Sequence, residues 1–116
     1  VKTGRIRKTK EFQDILASGE KQRGRYIFLY WKQDKSRKDP RVGTIITKKL
    51  APNATQRNYI KRIIYTFFDS RKQSIKPGTA NIIRLVRNVR NINRTRLAKE
   101  IRKELENVVI KAGIIE

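Results

Sequence analysis

The run from Lys48 to Phe68, KKLAPNATQRNYIKRIIYTFF, constrains this chain more than any other stretch. Ile60, Ile63, Ile64, Phe67 and Phe68 recur at i, i+3, i+4, i+7 and i+8, the spacing of one face of an α-helix. Asn58, Lys61, Arg62 and Tyr65 repeat that spacing on the opposite face, and Arg57 lies at the border. A helix built this way must lay its apolar side on another element, and its cations then look outward. Asn53 followed by Gln56 has the spacing of a capping box, with Asn in place of Ser or Thr. The pattern therefore predicts a strand end at Lys48 and Lys49, a corner at Ala51-Pro52, and a helix from Ala54 to about Lys72.

The rest of the chain arranges itself around that helix. Residues 1 to 8 are basic and without periodicity, and read as a flexible arm. Thr9 is placed to cap a short helix on which Phe12, Ile15 and Leu16 share a face, and Gly19 to stop it. From Arg25 to Gln33, Tyr26, Phe28 and Tyr30 alternate with Ile27, Leu29 and Trp31, a strand with two apolar or aromatic faces. The second of these triplets is expected in the core; the tyrosine-bearing face is open to core or ligand. A charged turn, Asp34 to Pro40, leads to a strand over Arg41–Lys49, and a strand over Ala80–Arg87 follows the organising helix. Strand, helix, strand implies a crossover and a parallel pair. Asn93 caps a last helix with Leu97, Ile101, Leu105, Val108 and Ala112 on one face, Gly113 ends it, and its Glu100, Glu104 and Glu106 read as scaffold. Residues 1–116 form a single domain on this reading.

Charge narrows the function. Thirty Lys and Arg against ten Asp and Glu give a net charge of +20, which demands a strongly anionic partner. Nucleic acid comes first and an anionic membrane surface second. No apolar run reaches transmembrane length and the N-terminus has no secretion-signal core, so the expected location is cytoplasmic, with no membrane partner. The chain has no His and no Cys, no Gly-rich phosphate loop, and carboxylates that are scattered rather than clustered. Such a chain is expected to bind, with any catalysis belonging to its partner. Arg57, Asn58, Lys61, Arg62 and Tyr65 on the helix, with Lys48 and Lys49 before it, supply cations, an amide and a ring for RNA. Phe12, Phe28 and Tyr30 offer stacking surfaces. Lys35, Arg37 and Lys38 read as a solvated loop. Strands flank the basic helix, so a mixed α+β RNA-binding domain fits better than a helix-turn-helix reader.

Arg41-Val42-Gly43, Thr47-Lys48-Lys49, Asn53-Ala54 and Arg57-Asn58-Tyr59-Ile60-Lys61-Arg62 together resemble the bacterial ribonuclease P protein component, with Phe12-Gln13 and Leu29-Tyr30 as flanking matches. The resemblance implies an α+β fold in α-β-β-β-α-β-α order, one sheet of about four strands with three helices, and an unusual left-handed crossover. It implies a subunit that assembles with a catalytic RNA and helps remove the 5′ leader of precursor tRNA, with magnesium bound mainly by the RNA and no obligate protein partner. Phe12, Leu16, Phe28 and Tyr30 match the family's leader-binding cleft; Lys48, Lys49, Arg57, Asn58, Lys61 and Arg62 match its contacts to the catalytic RNA, and Tyr65 stands beside them. Tyr59 and Tyr65 stand where the family has arginines, and Ala51-Pro52 replaces a Gly-containing turn. The competing class is a structural ribosomal or RNA-chaperone protein without a role in cleavage. A self-sufficient nuclease is disfavoured by the missing His and dispersed acids.

Overall fold

The computed structural model describes residues 3–115. Its elements in chain order are β1 (Gly4–Arg5), α1 (Thr9–Ser18), β2 (Glu20–Arg23), β3 (Ile27–Gln33), β4 (Arg41–Ile45), α2 (Ala54–Ser70), β5 (Thr79–Leu85) and α3 (Arg94–Ala112). The strands form one mixed sheet in the order β1-β4-β5-β3-β2. Antiparallel pairing joins β3 to β2 and to β5, while β4 and β5 run parallel, linked by the expected crossover through α2.

Alternation along β3 sorts the layers. Ile27 and Leu29 point into a large core beneath α2 and α3, shared with Ile60, Ile64, Phe68, Leu97, Ile101 and Leu105. Phe28 and Tyr30 point the other way, into a smaller cluster under α1. All five apolar residues predicted for the inner face of α2 are buried. Tyr26 departs from the alternation: it precedes the strand, turns into the large core and is 4% exposed. Trp31 is only partly buried, at that core's margin.

Several boundaries move for physical reasons. The strand expected over Arg41–Lys49 ends at Ile45, because Leu50 and Ala51 both donate their backbone N–H to Thr47 O and close a turn. Asn53 caps α2, accepting from Thr55 N at 2.8 Å. Gln56 does not complete the box; its Nε2 donates to Val89 O at 3.0 Å and ties α2 to the β5–α3 connector. The helix stops at Ser70, and a short 3₁₀ turn covers Lys72–Ser74. Thr9 is the first residue of α1 rather than its cap; the cap position is Lys8, with no side-chain hydrogen bond. Gly19 ends α1 by permitting close approach, since a Cβ there would lie 2.5 Å from Ile15 O and 2.8 Å from Trp31 O. Asn93 and Gly113 cap α3 as expected, Gly113 with φ 75°.

Two strands lie beyond the three that periodicity marks: β2 completes the α-β-β-β-α-β-α order that the resemblance implies, and β1 is additional to it. β2 is a polar edge strand, EKQR, without an apolar signal. β1 lies in the supposed arm and pairs parallel with β4. Thr3 and Ile6 are buried, Ile6 N donates to Val42 O at 3.0 Å, and Thr3 N donates to Asp69 Oδ1 of α2 at 2.7 Å. The expectation of a flexible arm is therefore corrected over Thr3–Ile6; residues 1 and 2 lie outside the described residues.

Candidate nucleic-acid interface

On the α1 side of the sheet, Phe12, Leu16, Phe28 and Tyr30 meet in one cluster with Ile45 and Ile82. Phe28 and Tyr30 stack with ring centroids 4.8 Å apart and planes 19° apart. Tyr30 is 9% exposed and backs the half-buried Phe28, so Phe28 is the ring that faces solvent. Gly43 makes room for Phe12: a Cβ at this position would sit 2.6 Å from Phe12 Cζ. α1 is itself held down by Arg41 of β4, whose guanidinium donates to Glu11 at 2.7 Å; that hydrogen bond keeps the Glu11 carboxyl below its ordinary pKa.

The register adds cations to this face that the sequence pattern missed. Lys21 lies opposite Tyr30, and Phe28 lies between Arg23 on β2 and Arg84 on β5. Ile45 is the register partner of Arg84 across β4 and β5. Lys21, Arg23 and Arg84 are all exposed. Directly opposed residues share a sheet face, so the open aromatic surface is bordered by positive charge on both sides. Alternation from Ile82 could have pointed to Arg84; Lys21 and Arg23 needed the pairing of a strand with no signal of its own.

From Ile45 the chain leaves the sheet and turns through Lys48 and Lys49, both exposed, into α2. The basic corner thus adjoins the end of the sheet where Phe28 and Arg84 lie. Asn58 and Arg62 are exposed on α2 and Lys61 is half-buried. Arg57 has a structural task as well: its Nη1 donates to Ala51 O and Pro52 O, each at 2.9 Å, and fixes the corner. Tyr65 is not presented outward. Its hydroxyl lies 3.3 Å from Thr44 Oγ1 on β4, and its ring lies under the Arg5 guanidinium at 4.1 Å. Tyr59 turns toward α3, where Arg94 lies over its ring at 4.1 Å. A cation therefore stands next to position 59, contributed by another helix.

Among the described residues, no helix is long and apolar enough to cross a membrane, and no three His, Cys, Asp or Glu form a group that could hold a metal ion. Asp14 pairs with Lys32 at 3.0 Å and Glu106 with Arg71 at 2.9 Å.

Residues 1–109 match the family model described as Ribonuclease P. Ribonuclease P protein components of Oceanobacillus iheyensis and of an Azoarcus species are 31% and 33% identical, covering 97% and 84% of this chain and 88% and 79% of those proteins. The Staphylococcus aureus RNase P protein superposes with a TM-score of 0.84 at 29% identity, covering 99% of this chain and 100% of its own. Sequence motif, fold and near-complete coverage agree, and the chain belongs to the ribonuclease P protein component family.

Proposed function

We propose that this chain is the RNA-binding, non-catalytic subunit of ribonuclease P, joining a catalytic RNA to the 5′ leader of precursor tRNA in the cytoplasm. The observation that carries the reading is the open aromatic face at Phe28, backed by Tyr30 and bordered by Arg23 and Arg84. A single strand laid there stacks a base on Phe28 and sets its phosphates against the flanking cations. Stacking of this kind tolerates any base, which suits leaders of varied sequence. Phe12 and Leu16 form the α1 wall of the same cleft. Lys48, Lys49, Asn58, Lys61 and Arg62 are the proposed contacts to the catalytic RNA, with Arg57 holding the corner that presents them. Tyr65 serves this surface indirectly, as the platform beneath Arg5.

Magnesium falls to the RNA on this reading. The protein's part is to concentrate positive charge where two RNAs meet, lowering their repulsion and their demand for free cations. The test is multiple-turnover cleavage of precursor tRNA by the catalytic RNA at low magnesium, with and without this chain. Stimulation is expected with it and no cleavage by protein alone; absence of stimulation would sink the proposal. Phe28→Ala should weaken binding of leader-bearing substrate by about 1–3 kcal/mol and leave a leaderless tRNA unaffected. Neutralising about six phosphates should cost roughly a thousandfold in affinity between 50 and 200 mM salt.

A further inference from the structure

The groove between α2 and α3 lies on the sheet face opposite the aromatic cleft. Tyr59 stands at its centre, between a cavity of about 230 Å³ that includes Gln56, Arg90 and Arg94 and one of about 310 Å³ that includes Arg62 and Arg102. We propose that this groove is a second RNA site, in which Arg94 and Arg90 hold the phosphate backbone of the catalytic RNA. The proposal rests on the RNA-binding reading above and extends its catalytic-RNA surface past Arg62 to Arg90 and Arg94.

Arg94 carries the argument. Its guanidinium lies over the Tyr59 ring, with the carbon 4.1 Å from the centroid. A cation–π contact of that kind holds the charge over the ring without satisfying the guanidinium's N–H donors as an acid or carbonyl would. None of those donors has a hydrogen-bond or ion-pair partner among the described residues, although the family of ion pairs includes Arg5, Arg37, Arg41 and Arg71. Arg62, Arg90 and Arg102 are likewise exposed and without an acid partner among the described residues. Of the arginines that line the second cavity, Arg71 is paired with Glu106. The Asn53 side chain already takes Thr55 N at the start of α2, and the Asn93 side chain takes Thr95 N and Arg96 N at the start of α3; the charge offered to an anion is that of the arginines. The stack also fixes Arg94 before any ligand arrives, which reduces the ordering cost of forming a bidentate phosphate contact.

The same geometry separates the two RNA ligands. Arg94 covers Tyr59, so this groove presents cations but no open ring on which a leader base could stack. Phosphates of a folded RNA fit it; a splayed single strand fits the Phe28 face.

The test measures binding of the full chain to the catalytic RNA alone across a salt series, and separately to leader-bearing and leaderless tRNA, for the wild type, the double variant Arg90→Gln with Arg94→Gln, and Arg94→Lys. Loss of two phosphate contacts should lower the slope of log affinity against log salt by about 1.4–1.8 and weaken binding roughly tenfold near physiological salt. Arg94→Lys should keep its share of the slope but not the full affinity, because the charge remains without the planar fork that pairs a phosphate bidentately. Thermal melting of all three proteins should agree closely, which separates lost contact from lost fold. A double variant with wild-type slope and affinity, beside a steep wild-type slope, overturns the groove site and leaves the RNA-binding reading standing. A flat wild-type slope overturns both. A double variant that loses only its preference for leader-bearing over leaderless tRNA also overturns the assignment, since the groove would then hold the leader.

Discussion

Two arginines lie over two tyrosines of the same helix at the same distance, 4.1 Å, and their surroundings give them different work. Over Tyr65, Arg5 is discharged: it donates to both oxygens of Asp69 at 3.1 Å and to Thr3 O at 2.6 Å. Asp69 also accepts from Thr3 N, so the stack is one corner of a clamp that fastens β1 to α2. Over Tyr59, Arg94 has no acid within reach among the described residues. Helix register explains the contrast. Four residues beyond Tyr65 stands Asp69; four beyond Tyr59 stands Ile63, which is committed to the core. An arginine–tyrosine stack is therefore scaffold or binding site according to what the next turn supplies.

The largest expected effect tests the shared support of both stacks. Ile64 is 1% exposed beneath α2, and Ile64→Ala should cost about 2–5 kcal/mol in denaturant unfolding. A loss below about 1 kcal/mol would mean that the sheet does not hold this helix in place.

The clamp should next reveal itself through pH. Burial opposes ionisation of Asp69, but hydrogen bonds from the Arg5 side chain and from Thr3 outweigh it and hold the carboxyl at about 2, below its ordinary 3.8. A depressed carboxylate stabilises the fold above its unfolded pKa and loses that contribution as pH falls through the folded value. About 2 kcal/mol should thus disappear between roughly pH 4 and pH 2, read from melting temperatures, and Asp69→Asn should remove this part of the acid sensitivity. An unchanged acid profile in that variant would contradict the clamp.

A direct comparison of the two stacks comes third. Arg5→Gln leaves Asp69 short of its cation and should cost about 1–3 kcal/mol, with little change in the salt slope of RNA binding. Arg94→Gln should do the reverse, with a stability change within about 0.5 kcal/mol and a smaller slope. Equal stability losses would erase the distinction drawn here. Smallest of all, Arg62→Ala should leave stability within about 0.5 kcal/mol while weakening RNA binding, because the side chain is exposed and opposite the isoleucines.

Much of the candidate site was legible in the chain. The positions of Phe12, Leu16 and Phe28 follow from periodicity, and Lys48, Lys49, Asn58 and Arg62 are exposed where the pattern put them. Tyr65 was misjudged because a helical wheel shows which residues share a side, not which neighbour covers them. The neighbour here is Arg5, far away in sequence and placed by a two-residue strand too short to leave a pattern. Arg23 and Lys21 were overlooked for a related reason: a polar edge strand has no burial to record in its composition, and only pairing reveals which face it serves.

By itself, the sequence determined the class of partner, through a net charge of +20, and the identity of the buried helix faces, through spacing. Both are properties that local order or simple summation carries. What the tertiary structure decided is which cations remain free to act. Asp69 consumes one arginine and the corner carbonyls engage another, while Arg94 is left stacked and unpaired among the described residues. Those outcomes depend on contacts between residues tens of positions apart, and the electrostatic worth of a charge is set by its neighbours in space.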